Sequence, residues 1–217
     1  MDHLGLFVAL EDKSVLLFAN GSLPNSAIVN ELIDSCETVV ACDGGGNHCL
    51  EYELIPDYLT GDFDSIESPA IEKFRIQGTE IIEMQNQNKS DLSKTLQWLE
   101  SSGVKSIDVV GIEGGRLDHQ FGVWASLIES ESYATLHYDE FILYRIPNSQ
   151  KIIQTDIGKI VSLHPISACE DVEITGCEFE LNGEMMSIGT RGIHNVATSD
   201  TVKISKSSGE LFLLIER

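Results

Sequence analysis

One change of hydrophobic rhythm, roughly three-fifths of the way along, divides this chain and limits what it can fold into. Up to about residue 130, short and continuously apolar runs at 14–18, 38–41, 58–60, 80–82 and 106–110 alternate with helix-like segments. Several of these runs are too uniformly apolar to face water on one side, which predicts a parallel sheet covered by helices. Between the fourth and fifth runs, Leu92, Leu96 and Leu99 recur at helical spacing behind Ser90, placed as an N-cap. Phe121, Trp124, Ala125 and Ile128 repeat the spacing after Asp118, and both stripes are expected in the core. After about Ser132 the period becomes two, over 135–138, 141–146, 160–163, 172–175, 185–188, 202–205 and 211–215. Pro147-Asn148, Asn182-Gly183 and Ser208-Gly209 lie between runs as turn signals, the last two suited to tight hairpins. The expected architecture is an α/β N-terminal domain with a mainly parallel sheet, residues 1–132, followed by an all-β sandwich, residues 133–217, with the boundary between 132 and 140. No internal repeat or low-complexity tract is seen.

An apolar fraction of 42% over 217 residues is ordinary for a globular chain that needs no staple. Lys and Arg number 14 against 35 Asp and Glu, a formal charge of -21. Such a field repels nucleic acid and anionic membranes, and neither is expected as a partner. Phosphate remains open to it as a substrate, because a bound divalent cation inverts the local field where carboxylates cluster. The five cysteines, Cys36, Cys42, Cys49, Cys169 and Cys177, include no C-x-x-C pair, which reads as free thiols in a reducing compartment, without zinc. No apolar run approaches the roughly 18 residues of a membrane span, and the Met1 segment lacks the marks of a targeting peptide. A cytoplasmic location is expected.

In open α/β sheets ligands bind beyond the carboxyl ends of the strands. Here the first run leads into Asn20-Gly21, the second into Cys42-Asp43-Gly44-Gly45-Gly46-Asn47, the third into Gly61-Asp62-Phe63-Asp64-Ser65. The fifth leads into Gly111 and then Gly114-Gly115-Arg116-Leu117-Asp118-His119. Glycine at such points lets backbone N–H groups approach phosphate oxygens. Asp62 and Asp64, one residue apart on an extended strand end, put both carboxylates on one side within reach of one cation. Oxygen ligands of this kind suit Mg²⁺ that also bridges substrate phosphates. Taken alone, the pair serves equally as a loop feature or helix cap. Asp91 adds a carboxylate at a helix start, where the helix dipole also favours it, and Asp118 has the same double reading. Arg116 suits a bidentate grip on a phosphoryl oxygen and equally a surface ion pair. His119 reads as an ordinary histidine of a first helical turn. Convergence of acidic positions, Gly-rich turns and one Arg after successive strands of one sheet favours a phosphate and metal site.

These segments resemble the thiamine diphosphokinase family, also called thiamin pyrophosphokinases. The matching strings are CDGGGN (42–47), PDYLTGDFDS (56–65), QNKSDLSKTL (87–96) and GGRLDH (114–119), in the family's order. In the second half GCEFEL (176–181) looks like the family's G-L-K-W/Y-x-L, and IGTRGIHN (188–195) looks like its G-T-x-x-x-S-N. The resemblance implies an N-terminal domain that binds ATP and Mg²⁺, a C-terminal sandwich, and a homodimer with thiamine sites between subunits. It implies transfer of the diphosphoryl group of ATP to the thiamine hydroxyl, releasing AMP. By similarity Asp62, Asp64 and Asp91 are the metal carboxylates and, with Arg116, the catalytic set. Asn20, Asp43, Gly44, Asn47, Gly115, Arg116 and Asp118 attend ATP and its phosphates, while Gln87, Phe179, His194 and Asn195 attend thiamine. Three positions depart from the family's pattern: Asn88-Lys89-Ser90-Asp91 replaces D-x-T-D, His194-Asn195 replaces Ser-Asn, and Phe179 stands where Trp or Tyr is common. Two other functions share some of these features. The D-x-D pair occurs in metal-dependent nucleotide-sugar glycosyltransferases, and a catalytically silent thiamine- or nucleotide-binding module needs only the binding residues.

Overall fold

The computed structural model describes residues 10–217; the reading of the Met1 segment, and the start of the expected first domain, lie outside the described residues. The chain forms two compact units, divided after Tyr138. In the first, strands β1 (Ser14–Phe18), β2 (Thr38–Cys42), β3 (Tyr58–Gly61), β4 (Glu80–Glu83), β5 (Ser106–Val110) and β6 (Thr135–His137) alternate with helices. The helices are α1 (Ser26–Ser35), α2 (Gly45–Glu51), α3 (Ser68–Ile76), α4 (Asp91–Ser101) and α5 (Leu117–Glu129). The strands lie in the order β6-β5-β1-β2-β3-β4, every neighbouring pair parallel. Val15, Leu16, Leu17 and Phe18 of the central β1 are all fully buried, as expected where helices cover both faces of a parallel sheet. Leu16 and Phe18 join Val29, Leu59, Phe74 and Val110 in one core cluster.

Strand β6 has the period-two look of the second half, yet it pairs with β5 in parallel through Asp108–Thr135 and Val109–Leu136. Its partner makes it the last strand of the first sheet, and His137 Nε2 reaches Asp108 Oδ1 across that pairing at 2.7 Å. Helix α4 starts as predicted, Ser90 Oγ accepting from Ser93 N at 3.1 Å, and Leu96 and Leu99 are fully buried. The α5 stripe is a correction. Phe121 is 70% exposed and Ala125 is exposed, while Ser126 and Leu127 are the buried pair. The reason lies in how α5 meets α4: Ser126 Oγ lies 3.1 Å from Ser90 Oγ, and Ser93 Oγ donates to Glu129 at 2.7 Å. Small hydroxyl side chains let the helices approach and satisfy one another there, so α5 turns its serine face inward in place of its aromatic one.

The second unit contains β7 (Phe141–Arg145), β8 (Lys151–Gln154), β9 (Ile160–Pro165), β10 (Cys169–Thr175), β11 (Leu181–Met186), β12 (Asn195–Val196), β13 (Thr201–Ser205) and β14 (Leu211–Glu216). They form two antiparallel layers, β12-β9-β14-β7 and β11-β10-β13-β8. Val161, Leu163, Leu211, Leu213 and Ile215 from one layer meet Ile153, Val172, Ile174, Val202 and Ile204 from the other in one core. Two turn assignments need correction. Asn182-Gly183 lies inside β11, where Gly183 takes φ 70° and the pairing with β10 shifts register, so the strand runs 181–186 and not 185–188. Ser208-Gly209 links β13 to β14, which belong to different layers, and is a crossing between sheets. All five thiols are free, and among the described residues no helix is long and apolar enough to cross a membrane.

Candidate active site

Three carboxylates meet beyond the ends of β2 and β3. Asp43, Asp62 and Asp64 each offer an oxygen, and these atoms all lie within 4.8 Å of one another. The route to this arrangement differs from the extended strand end inferred from the sequence. Phe63 adopts φ 64° and Asp43 φ 47°, a left-handed conformation that costs a non-glycine residue about 1–2 kcal/mol. The turn at Phe63, together with that at Asp43, brings the aspartates to one point. Ser65 fastens the cluster: its N–H donates to Asp43 Oδ1 at 3.2 Å and its hydroxyl to Asp64 Oδ1 at 2.7 Å. Asn47 Nδ2 in turn donates to the Ser65 carbonyl at 3.2 Å. Burial pushes the Asp43 carboxyl above its ordinary range, and the nearby Asp64 charge pushes the same way, while hydrogen bonds from Ser65 and Gly44 act against them.

Asp91 stands outside this group, in the first turn of α4. Its Oδ1 lies 2.7 Å from Lys94 Nζ, whose side chain is only 9% exposed, and Lys94 also donates to the Met84 carbonyl at 2.8 Å. The contact with Asp91 is an ion pair, and Asp91 Oδ1 is buried without a hydrogen bond. Asp62 Oδ1 is likewise buried and unpaired. Such oxygens are costly unless something compensates them. Lys94 escaped the sequence reading, although its place three residues after Asp91 on a helix was a usable signal.

The Gly-rich turn after β2 packs closely against the loop after β1. A Cβ on Gly44 would come 2.0 Å from Asn20 Oδ1, so the Asn20 side chain rests directly on that glycine. Arg116 is exposed at the start of α5, with Nε donating to Asp118 Oδ1 at 3.1 Å and Nη2 to Oδ2 at 2.7 Å. That bidentate pairing holds the Asp118 carboxyl below its ordinary range. Gly115, before Arg116, takes φ 66° with open space around it. Gln87 is exposed in the segment between β4 and α4, and His119 is exposed in the first turn of α5.

In the second unit Phe179 is 67% exposed and His194 is exposed with φ 62°, its N–H bonded to Ser162 Oγ at 3.0 Å. Asn195 differs, being 7% exposed. Its Oδ1 accepts from Phe179 N at 3.0 Å and Val196 N at 2.9 Å, and its Nδ2 donates to the Phe179 carbonyl at 2.7 Å. Its visible work is to hold the turn that presents the Phe179 ring.

The donor set in the first unit consists of hard carboxylate oxygens, with Asp62 Oδ1 buried and unpaired, and this fits a small divalent cation. Residues 29–136 match the family described as Thiamin pyrophosphokinase, catalytic domain, and residues 146–211 match Thiamin pyrophosphokinase, vitamin B1 binding domain. Among solved structures, a thiamine pyrophosphokinase from Bacillus subtilis is 22% identical, with a TM-score of 0.79 over 94% of this chain and 99% of that one. A thiamin pyrophosphokinase from Candida albicans is 22% identical, with a TM-score of 0.78 over 97% and 90%. A probable thiamine pyrophosphokinase from Staphylococcus saprophyticus is 26% identical, with a TM-score of 0.67 over 93% and 97%.

Proposed function

The chain belongs to the thiamin pyrophosphokinase family, and on that premise we propose that it moves the diphosphoryl group of ATP onto the hydroxyl of thiamine with the help of magnesium, giving thiamine diphosphate and AMP. The observation that carries this reading is the meeting of Asp43, Asp62 and Asp64, with Asp62 Oδ1 buried and unpaired. These three residues would hold the ion, and Asp91, whose Oδ1 also lacks a hydrogen bond, would complete the site from the start of α4. The chemistry a magnesium ion would supply there is positive charge set against the negative phosphates of ATP.

The remaining work belongs to the chain's own groups. Arg116, aligned by Asp118, holds phosphoryl oxygens, and the backbone N–H groups around Gly44 and Gly115 hold others. Asn20 and Asn47 flank the nucleotide. Gln87, Phe179 and His194 contact thiamine, with Asn195 setting the Phe179 turn. Attack of the hydroxyl on the β-phosphorus needs alignment more than covalent help, and a carboxylate, Asp91 or Asp64, takes the hydroxyl proton. We read the enzyme as a homodimer with active sites near the subunit interface. Leu117 and Phe121, 68% and 70% exposed four residues apart on α5, support an apolar contact surface on the first unit. Free thiols support work in a reducing compartment, the cytoplasm. A glycosyltransferase reading of Asp62-Phe63-Asp64 is not favoured, since both matched segments are of the thiamin pyrophosphokinase type.

The test is incubation with ATP, Mg²⁺ and thiamine, with AMP and thiamine diphosphate detected by mass. Wild type is expected to form both in equal amounts and to stop on addition of EDTA. Asp64→Asn should lose at least about a hundredfold in kcat with its fold intact. Absence of AMP from the wild type, or near-normal turnover in Asp64→Asn, would overturn the reading.

A further inference from the structure

We propose that His48 is a positioning residue that locks the loops after β1, β2 and β5 into one rigid nucleotide platform. His48 sits in α2, its side chain 18% exposed, and its Nε2 lies 2.7 Å from the Gly21 carbonyl oxygen. A carbonyl only accepts, so Nε2 carries a hydrogen and donates it. The other ring nitrogen, Nδ1, is buried without a hydrogen bond, with Glu51 Oε2 3.6 Å away. The specific bond of this ring therefore runs to the main chain of another loop.

That loop is itself tied to a third. Gly21 N donates to the Gly111 carbonyl at 2.6 Å and Ser22 N to the Glu113 carbonyl at 2.7 Å. The loops touch so closely that a Cβ on Gly21 would sit 2.7 Å from both carbonyl oxygens. A Cβ on Gly111, at φ 74°, would sit 2.3 Å from the Ala19 carbonyl oxygen. From α2 the linkage passes through Gly21 to Gly111 and Glu113, and Asn20 and the Gly114-Gly115-Arg116 turn hang from its two ends. With His48 replaced by an apolar residue, the Gly21 carbonyl loses its partner, and a part-buried acceptor without one favours conformations that expose it to water. Asn20 and Arg116 then move together.

This inference rests on the ATP reading for its kinetic arm but not for its structural arm. The experiment compares wild type, His48→Leu and His48→Gln as full-length chains. It measures KM for ATP and for thiamine, kcat, and amide hydrogen exchange over residues 20–22 and 111–116. In His48→Leu the ATP KM should rise roughly tenfold, the thiamine KM should stay within about twofold, and exchange should quicken in both loops. His48→Gln, which can donate to the same carbonyl, should recover most of both effects. An unchanged ATP KM in folded His48→Leu, exchange changes confined to α2, or a Gln variant as impaired as Leu would each overturn the proposal. Where His48→Leu does not fold, His48→Gln decides. Protected loops with an ATP KM near wild type support the clamp, and open loops or a KM raised tenfold refute it. Where the wild type forms no AMP, the kinase reading fails, and the exchange arm alone still decides the clamp.

Discussion

Phe63 places a bulky ring at φ 64°, and the aspartates on either side of it come within reach of Asp43 through that turn. The position is occupied at a cost of about 1–2 kcal/mol, which glycine would not incur and a β-branched residue would incur more heavily. Phe63→Gly should therefore bind Mn²⁺ within about twofold of wild type, whereas Phe63→Val should bind roughly tenfold more weakly by isothermal titration. Both should lower the thermal midpoint, because Phe63 packs against the core of the first unit. The same turn explains what could be read from the residues alone. Asp62 and Asp64 were legible as a pair of hard ligands from their type and spacing. Asp43 was read in the Gly-rich turn after the second run and, through the family resemblance, as a phosphate-site residue and not as a metal ligand, since a left-handed turn leaves no hydrophobic periodicity to follow. For Lys94 the spacing from Asp91 was legible but its burial was not: helical lysines usually lie on the surface, and a place between Asp91 and the Met84 carbonyl is a tertiary property.

Among the elements, β1 bears most of the load, as the central strand paired with both β2 and β5. Leu16 is fully buried in the cluster with Phe18, Val29 and Phe74, so Leu16→Ala should cost about 2–5 kcal/mol in urea unfolding. Ile152→Thr on β8, where the side chain is 55% exposed, should change stability by no more than about 0.5 kcal/mol. The contrast also marks the limit of pattern reading. Strands β1 to β3 were legible because both faces are covered, which leaves uninterrupted apolar runs. Strand β8, at the margin of its layer with a single fully inward Ile153, carries a pattern too short to separate from a loop. The α5 stripe misled because four apolar residues at helical spacing predict a buried face only when no competing face exists. In α5 the serines supply one.

For the molecule as a whole, acid should be felt through His164 of β9. Burial lowers its affinity for a proton below the ordinary value of 6.5, so the unfolded chain binds more protons than the folded one in that range. The stability associated with the neutral imidazole is fully present above 6.5 and is lost as the pH falls below it. His164→Gln should flatten the fall in thermal midpoint between about pH 7 and about pH 5, measured by calorimetry in parallel with wild type. The division into two units with different hydrophobic periods was legible at this scale, while membership of β6 was not, because a strand's partner is decided by topology and not by its own pattern. The bridge between Ser22 and Glu113 has one more consequence. Its halves follow β1 and β5, neighbours in the sheet that the chain joins only after passing through three other strands. Contacts so distant in sequence close a long loop and form late in folding. A polypeptide emerging from the ribosome therefore cannot join these two loops until β5 and the loop behind it are free to fold, and no shorter N-terminal fragment can hold them together.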